Sequence, residues 1–407
     1  MNATPPVTGS PLAAALAEAL PRLCAAAAPG DPALLELITA LTTALEGGLL
    51  ELDFSAAMPE GLNPERWPHG YRQALEASPL AVGAEALQLA PQAPLVLAGE
   101  RLRWRRWHQQ LEHTLDALVQ WAQDPLAHPA AAPALETTRL QAAAAGLDAT
   151  QQQAVVSALS HRLLLLSGGP GTGKTSTVVQ LLAAVLRLQP GLQLHLAAPT
   201  GKAAARLRDA IEQGCGGLDA AIASVLLATP CSTLHRLLES SGERFGRHAG
   251  RRLELDLLVV DEVSMVDLPL MAALLEALPP TCRLVLVGDP AQLPPVGPGP
   301  VLQELMRPQR LQALGAAAVE LRTTYRNAGA IAAVAACLRP GDPDPLQQLT
   351  PQLQTLSPGD NLQWRQAPAR QPPAAAIEAL GQHQRRLAAL AAALPCPPDP
   401  GEAPLEP

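Results

Sequence analysis

The chain has 407 residues, enough for two or three domains, and its dominant alanine and leucine with only 2% aromatic residues call for aliphatic cores. A net charge of −8 excludes a protein that coats duplex DNA by bulk charge, so any nucleic-acid contact must be local. Six scattered cysteines form no Cys-x-x-Cys pair, which speaks against zinc or a disulfide framework and suits a reducing cytoplasm; no apolar run approaches the length of a signal peptide core or membrane span.

Residues 1–145 read as a separate, mainly helical domain. Leu34, Ile38, Leu41 and Leu45 share a helical face, and Gly47-Gly48 ends that helix before a short strand, Leu49 to Phe54. Leu95 to Leu97 and Arg101 to Trp107 flank a turn at Ala98-Gly99-Glu100 and read as a hairpin. A helix with Leu111, Leu115, Leu118 and Ala122 at apolar spacing follows. Arg101-Leu-Arg-Trp-Arg-Arg-Trp107 has the composition of a stacking and phosphate-binding surface or an interface hot spot, and equally that of a solvated strand with arginine over tryptophan. Ala130 to Ala145 is low in complexity and reads as a linker or loosely packed helix.

From residue 146 to 317 the pattern changes. Short apolar strands at Leu163 to Leu166, Leu192 to Ala197, Leu257 to Val260 and Arg283 to Val287 alternate with helical stretches, the mark of an α/β domain with a parallel sheet covered on both faces. The first strand runs into Gly168-Gly-Pro-Gly-Thr-Gly-Lys-Thr175 and an amphipathic helix. This is the phosphate-loop pattern, in which backbone N–H groups, the helix N-terminus, an ammonium and a hydroxyl hold a nucleotide's phosphates and Mg²⁺. Of 29 basic residues only two are lysine, Lys174 and Lys202. Arginine serves elsewhere, and a compact ammonium is what a phosphate cage cannot exchange for a planar guanidinium. The third strand ends in Asp261-Glu262, two carboxylates at the mouth of the sheet, suited to holding magnesium hydration and polarising water. The fourth runs into Gly288-Asp-Pro-Ala-Gln292, which puts the Gln292 amide near a γ-phosphate.

Six stretches in order resemble the motifs of superfamily 1 helicases. They are Gly168 to Thr175, Ala198-Pro-Thr-Gly-Lys-Ala-Ala-Ala-Arg206, Ser232-Thr-Leu-His-Arg236, Val260-Asp-Glu-Val-Ser-Met265, Gly288-Asp-Pro-Ala-Gln-Leu-Pro294 and Leu321-Arg-Thr-Thr-Tyr-Arg326. Their wording is similar to that of the RecD family, the alpha subunit of exodeoxyribonuclease V, a bacterial 5′-to-3′ DNA motor. The resemblance implies a RecA-like P-loop fold, ATP and Mg²⁺, single-stranded DNA and duplex ends as substrates, and RecB-like and RecC-like partners docked through the N-terminal domain. It implies cytoplasmic double-strand break repair and recombination. It also implies roles: Gln151 (or Gln152) for adenine; Gly168, Gly169, Pro170, Gly171, Thr172, Gly173 and Lys174 for phosphate; Thr175 and Asp261 for metal; Glu262 as base; Gln292 and Arg326 at the γ-phosphate. Pro199, Thr200, Lys202, Thr233 and His235 would touch DNA, with Arg206 on the Lys202 face as part of a phosphate track, although a lone histidine is as readily structural. Arg244 to Arg252 reads as a strand-separating hairpin or a solvated basic loop.

A second RecA-like lobe is expected to begin near Val319, in a segment 318–394 that carries a helical stretch with Ile377, Leu380, Leu387, Leu390 and Leu394. Residues 395–407, six of them proline, read as a disordered tail. The family's later motifs are missing from this segment, and no lysine follows position 202, so the resemblance implies a second lobe that is incomplete. The readings in play are a DNA-dependent ATPase and helicase subunit, an ATP-binding subunit with an assembly role and no unwinding, and a P-loop ATPase of another class. The DNA-contact motifs and Gln292 tell against the last. Carboxylates outside Asp261-Glu262 show no clustered metal pattern, so strand cleavage is not expected.

Overall fold

The computed structural model describes residues 11–23, 31–126, 128–242, 244–325, 330–338, 345–357, 362, 364 and 372–393. The chain divides into two compact units, Met1–Arg326 and Asn327–Pro407.

The first unit opens with α1 (Pro11–Leu23), α2 (Pro32–Glu46), β1 (Glu51–Asp53), α3 (His69–Glu76), β2 (Ala81–Gly83), β3 (Leu95–Ala98), β4 (Arg101–Trp104), α4 (Arg105–Gln123) and α5 (Ala132–Ala144). Helix α2 starts where the Asp31 carboxylate accepts the Ala33 N–H at 2.9 Å with proline in the first turn, and it buries Leu34, Ile38 and Leu41. The four strands form one sheet in the order β1-β4-β3-β2, so this helix-rich region also holds the expected strand and hairpin. The hairpin's second strand is shorter than its sequence suggests: it stops at Trp104, and Arg105 to Trp107 are the first turn of α4.

The unit continues with α6 (Ala149–Ser160), β5 (Leu163–Gly168), α7 (Lys174–Leu188), β6 (Leu194–Ala198), α8 (Gly201–Gly214), α9 (Ala220–Ala228), β7 (Cys231–Thr233), α10 (Leu234–Leu237), β8 (Ser240–Ser241), β9 (Arg244–Phe245), β10 (Leu257–Val260), α11 (Leu268–Ala277), β11 (Arg283–Gly288), α12 (Val301–Leu305), α13 (Pro308–Leu314) and β12 (Ala318–Leu321). Six strands lie parallel in the order β12-β5-β11-β10-β6-β7. Side chains alternate across a strand, and here both faces are covered, which is why the strands read as unbroken apolar runs. Leu163, Leu165, Leu258, Val260, Leu284 and Leu286 face one core; Leu164, Leu166, Leu257, Val259, Val285 and Val287 face the other.

The first of these cores also contains Leu111, Leu115 and Leu118 of α4. The expected apolar face of α4 therefore covers the parallel sheet, and residues 1–145 share a compact unit with the sheet domain. Helix α5 is packed rather than a free linker, with Ala142 buried in the second core. Strand β12, expected to open a second lobe, is instead the edge strand beside β5: Val319 and Leu321 turn into the core of the first sheet. The strand's alternation does not say which sheet it joins; the apolar flank of β5 decides it.

Among its described residues the second unit holds helices α14 (Ala330–Cys337), α15 (Pro345–Gln354) and α16 (Ala374–Ala393). Helix α16 takes in Ile377, Leu380, Leu387 and Leu390 of the expected stretch, all exposed. Leu394 and the tail 395–407 lie outside the described residues. No helix among the described residues is long and apolar enough to cross a membrane.

Candidate nucleotide and DNA site

The carboxyl ends of the parallel strands meet a cleft of about 620 Å³. Strand β5 delivers the phosphate loop to it. Gly171 (φ +78°) and Gly173 (φ +82°) take left-handed conformations that a side chain disfavours, and Gly173 ends the turn as the N-cap of α7 with no side-chain cap bond. The first N–H groups of that helix are thus left to an anion. Lys174 donates to the carbonyls of Gly168 at 2.6 Å and Gly169 at 3.0 Å, and burial lowers its pKa against the opposing pull of Asp289, Asp261 and Glu262. Thr172 is buried and braces the loop by donating to the Gly169 carbonyl at 2.8 Å.

Strand β10 supplies the carboxylates. The Asp261 N–H extends the ladder by donating to the Ala197 carbonyl at 2.9 Å. Glu262 then turns through φ +54°, a sparsely populated conformation for a residue with a side chain, and donates its own N–H to Asp261 Oδ1 at 2.9 Å. Burial, and after it the Glu262 charge, pushes the Asp261 carboxyl up to about 6 despite that hydrogen bond and Lys174. A carboxylate so crowded by negative charge and loss of water is one that a cation would relieve, and with Thr175 lining the same cleft the donor set suits a magnesium ion that keeps most of its waters.

Gln292 follows β11 in a turn closed by its N–H donating to the Asp289 carbonyl at 3.1 Å, and its amide oxygen accepts from Ser264 Oγ at 3.5 Å. Gln151 sits in the first turn of α6 as half of a capping box: the Asp148 N–H donates to its amide oxygen at 3.0 Å, and its own N–H donates to Asp148 Oδ1 at 2.8 Å. Its NH₂ donates to the Thr172 carbonyl at 3.2 Å, which ties this glutamine to the loop. Gln152 points elsewhere, to the Leu147 carbonyl.

The cleft thus gathers Gln151, the loop from Pro170 to Thr175, Asp261, Glu262 and Gln292; Gly168 and Gly169 stand behind it and hold Lys174. Arg326 lies outside the described residues. Sequence reasoning passed over three others. Buried Asp289 acts on Lys174, and Ser264 holds Gln292. Tyr325 lines the cleft and is pinned at both ends, its N–H donating to the Gly171 carbonyl and its hydroxyl to Asp148 Oδ2, each at 2.8 Å. Arg206, expected beside Lys202 on a DNA phosphate track, lines the cleft too. Asp289, Ser264 and Tyr325 all stood within motifs already singled out, so their position was the available signal.

The candidate DNA residues gather at the carboxyl ends of β6 and β7, which pair with Ala198 opposite Thr233. Thr200 caps α8 by accepting the Ala203 N–H, and Thr233 caps α10 by accepting the Arg236 N–H, both at 3.2 Å. Lys202 and His235 are exposed in the first turns of those helices, and Pro199 is half-buried. Beyond them the start of the basic segment, β9, pairs with the preceding β8 as a hairpin, and a bridge joins His248 to Arg251. Glu239 accepts from Arg247 at 2.8 Å and from Arg251, so two of its arginines brace the turn while Arg244 and Arg252 are exposed.

Three of the four arginines in the Arg101 to Trp107 stretch are committed within the protein, and the fourth, exposed Arg106, lies over the Trp107 ring. Arg103 is 3% exposed and donates to Glu51 at 2.8 Å, and Arg105 donates to the backbone carbonyls of Leu87, Ala90 and Ala93. Arg101 pairs with Glu51 and Asp53. Trp104 and Trp107 pack against the two neighbouring cores.

A parallel sheet, a phosphate loop on the strand next to its edge and paired carboxylates on the strand two places further in define a RecA-like P-loop NTPase core. A family model described as an AAA domain matches residues 151–298. The RecBCD enzyme subunit RecD of Mycolicibacterium smegmatis is 40% identical over 325 residues, covering 76% of this chain and 54% of that protein. RecD of Haemophilus influenzae is 45% identical over 165 residues, covering 38% and 26%. The ATP-dependent RecD2 DNA helicase of Deinococcus radiodurans is 39% identical over 183 residues, covering 45% and 22%. A solved Pif1 helicase from Candida albicans is similar at 20% identity, with 60% of this chain and 55% of that one covered and a TM-score of 0.33. Over the residues it shares with these relatives the chain is similar to RecD subunits, and it spans about half the length of the Mycolicibacterium smegmatis protein.

Proposed function

We propose that this chain is an ATP-driven 5′-to-3′ DNA helicase and translocase subunit of the exodeoxyribonuclease V type, acting in bacterial cytoplasm on single-stranded DNA and duplex ends in break repair and recombination. The observation that supports it best is the convergence of Lys174, Thr175, Asp261, Glu262 and Gln292 on one cleft. In this reading Gln151 meets the adenine, loop N–H groups and Lys174 hold the phosphates, and Thr175 and Asp261 hold Mg²⁺. The metal, when bound, supplies positive charge to the phosphate oxygens. Glu262 accepts a proton from the attacking water, Gln292 senses the terminal phosphate, and Arg326 stabilises charge developing on it. Pro199, Thr200, Lys202, Thr233 and His235 follow the DNA backbone, with the hairpin at the strand junction. Residues 1–145 dock RecB-like and RecC-like partners, residues 146–317 form the first motor domain, and the second motor domain begins after β12, within the segment 318–394.

One observation favours a second reading, an ATP-binding subunit with an assembly role and no unwinding: unit 327–407 holds only helices among its described residues. ATP hydrolysis by the purified chain, with and without single-stranded DNA and beside a Lys174→Ala control, separates them. DNA-stimulated turnover absent from the control supports the motor; nucleotide binding without stimulated turnover supports the assembly role.

A further inference from the structure

We infer that Arg206 is a ligand for nucleotide phosphate, and that helix α8 carries the nucleotide and DNA contacts as one rigid piece; this rests on the nucleotide reading of the cleft given above. Arg206 lines that cleft with Thr175, Ser176, Asp261, Glu262 and Gln292. It is exposed, and among the described residues no hydrogen bond or ion pair occupies its guanidinium. Several arginines elsewhere in the unit are committed: Arg162 to Asp124, Arg187 to Asp219, Arg247 and Arg251 to Glu239. An uncommitted arginine facing a phosphate loop is a ligand in waiting, because its planar fork stays charged and matches phosphate oxygens two at a time.

Charge balance points the same way. Lys174 already faces Asp261, Glu262 and Asp289, so it cannot by itself offset a di- or triphosphate brought among three carboxylates. Arg206 is the second cation lining the cleft among the described residues. Its helix is held firmly, burying Ala204, Leu207 and Ile211, and it starts at the Thr200 cap with Lys202 exposed in its first turn. Phosphate held by Arg206 and DNA held by Lys202 would therefore restrain the same helix, one turn apart. A displacement of the helix imposed by one ligand is then felt at the other site, a route for DNA to stimulate the ATP site.

The test uses the full chain with two probes: fluorescent ADP with Mg²⁺, and a labelled oligothymidylate without nucleotide. Loss of a charge-assisted bond predicts that Arg206→Ala weakens ADP binding by about tenfold or more. Arg206→Lys should regain only part of this, because an ammonium lacks the fork. Lys202→Ala should show the opposite pattern, losing oligothymidylate more than ADP. If Arg206→Ala binds ADP like the parent and loses oligothymidylate as Lys202→Ala does, Arg206 is a DNA ligand and the inference is overturned. Equal loss of both probes with a lowered melting temperature would mark a structural residue and overturn it as well. If Lys174→Ala also binds ADP like the parent, it is the nucleotide reading of the cleft that fails.

Discussion

Glu304 offers a test of how the first unit is held together. It lies on α12 with its carboxylate paired to Arg307 and 3.6 Å from Arg103, yet those same two arginines are engaged by Glu51, at 3.0 Å and 2.8 Å. Burial, followed by the Glu51 charge, raises the Glu304 pKa from 4.5 to about 7. Since the folded value lies above the unfolded one, the stability this group contributes is complete below about pH 4.5 and is lost as pH rises through about 7. That displacement corresponds to on the order of 3 kcal/mol at pH 8, and to about half as much at pH 5.5, where the buried carboxyl still keeps its proton. Glu304→Gln keeps the shape and removes the charge, so it should raise the unfolding free energy by those amounts at the two pH values. Urea unfolding of the full chain at pH 5.5 and pH 8 reads this directly. A variant less stable than the parent at pH 8 would refute the reasoning, because it would mean that the arginines favour the ionised carboxylate more than burial opposes it.

Three further outcomes are expected. Glu262→Gln should keep ADP affinity while lowering ATP turnover by about a hundredfold or more; parental turnover would remove Glu262 as the base. Gly173→Ala places a Cβ 2.4 Å from Gln151 Nε2 at φ +82°, so it should weaken ADP binding and lower stability by roughly 1–2 kcal/mol, measured by titration and thermal melting. Replacing the hairpin residues 240–252 by a short turn should abolish fork unwinding while binding of oligothymidylate persists; unwinding at the parental rate would leave the hairpin without a role at the strand junction.

The phosphate loop, the Asp-Glu pair, Gln292 and four of the six parallel strands were legible in the sequence because each depends on residues close together in the chain. A buried strand must be apolar throughout, a left-handed turn needs glycine, and a carboxylate just past a strand's end falls at the sheet's mouth wherever the strand is placed. Gln151 could be picked from its neighbour only provisionally, and the capping box with Asp148 settles which of the two faces the loop.

Tertiary structure decided what local pattern leaves open, namely which surface an element packs on. The stripe of Leu111, Leu115 and Leu118 announces a buried helix face without saying that the parallel sheet buries it. Val319 and Leu321 announce a strand, but the vacant edge of β5 chose its sheet. Arginines between tryptophans read alike whether they meet phosphate or carboxylate, and Arg103 is buried because Glu51, 52 residues earlier, lies opposite it in the register of β1 and β4. Arg206 shares a helix face with Lys202 in sequence, yet only the packing of α8 beside α7 brings its guanidinium to the nucleotide cleft. Chain-local chemistry wrote the site's residues, and long-range packing determined which of the remaining charges the site could use.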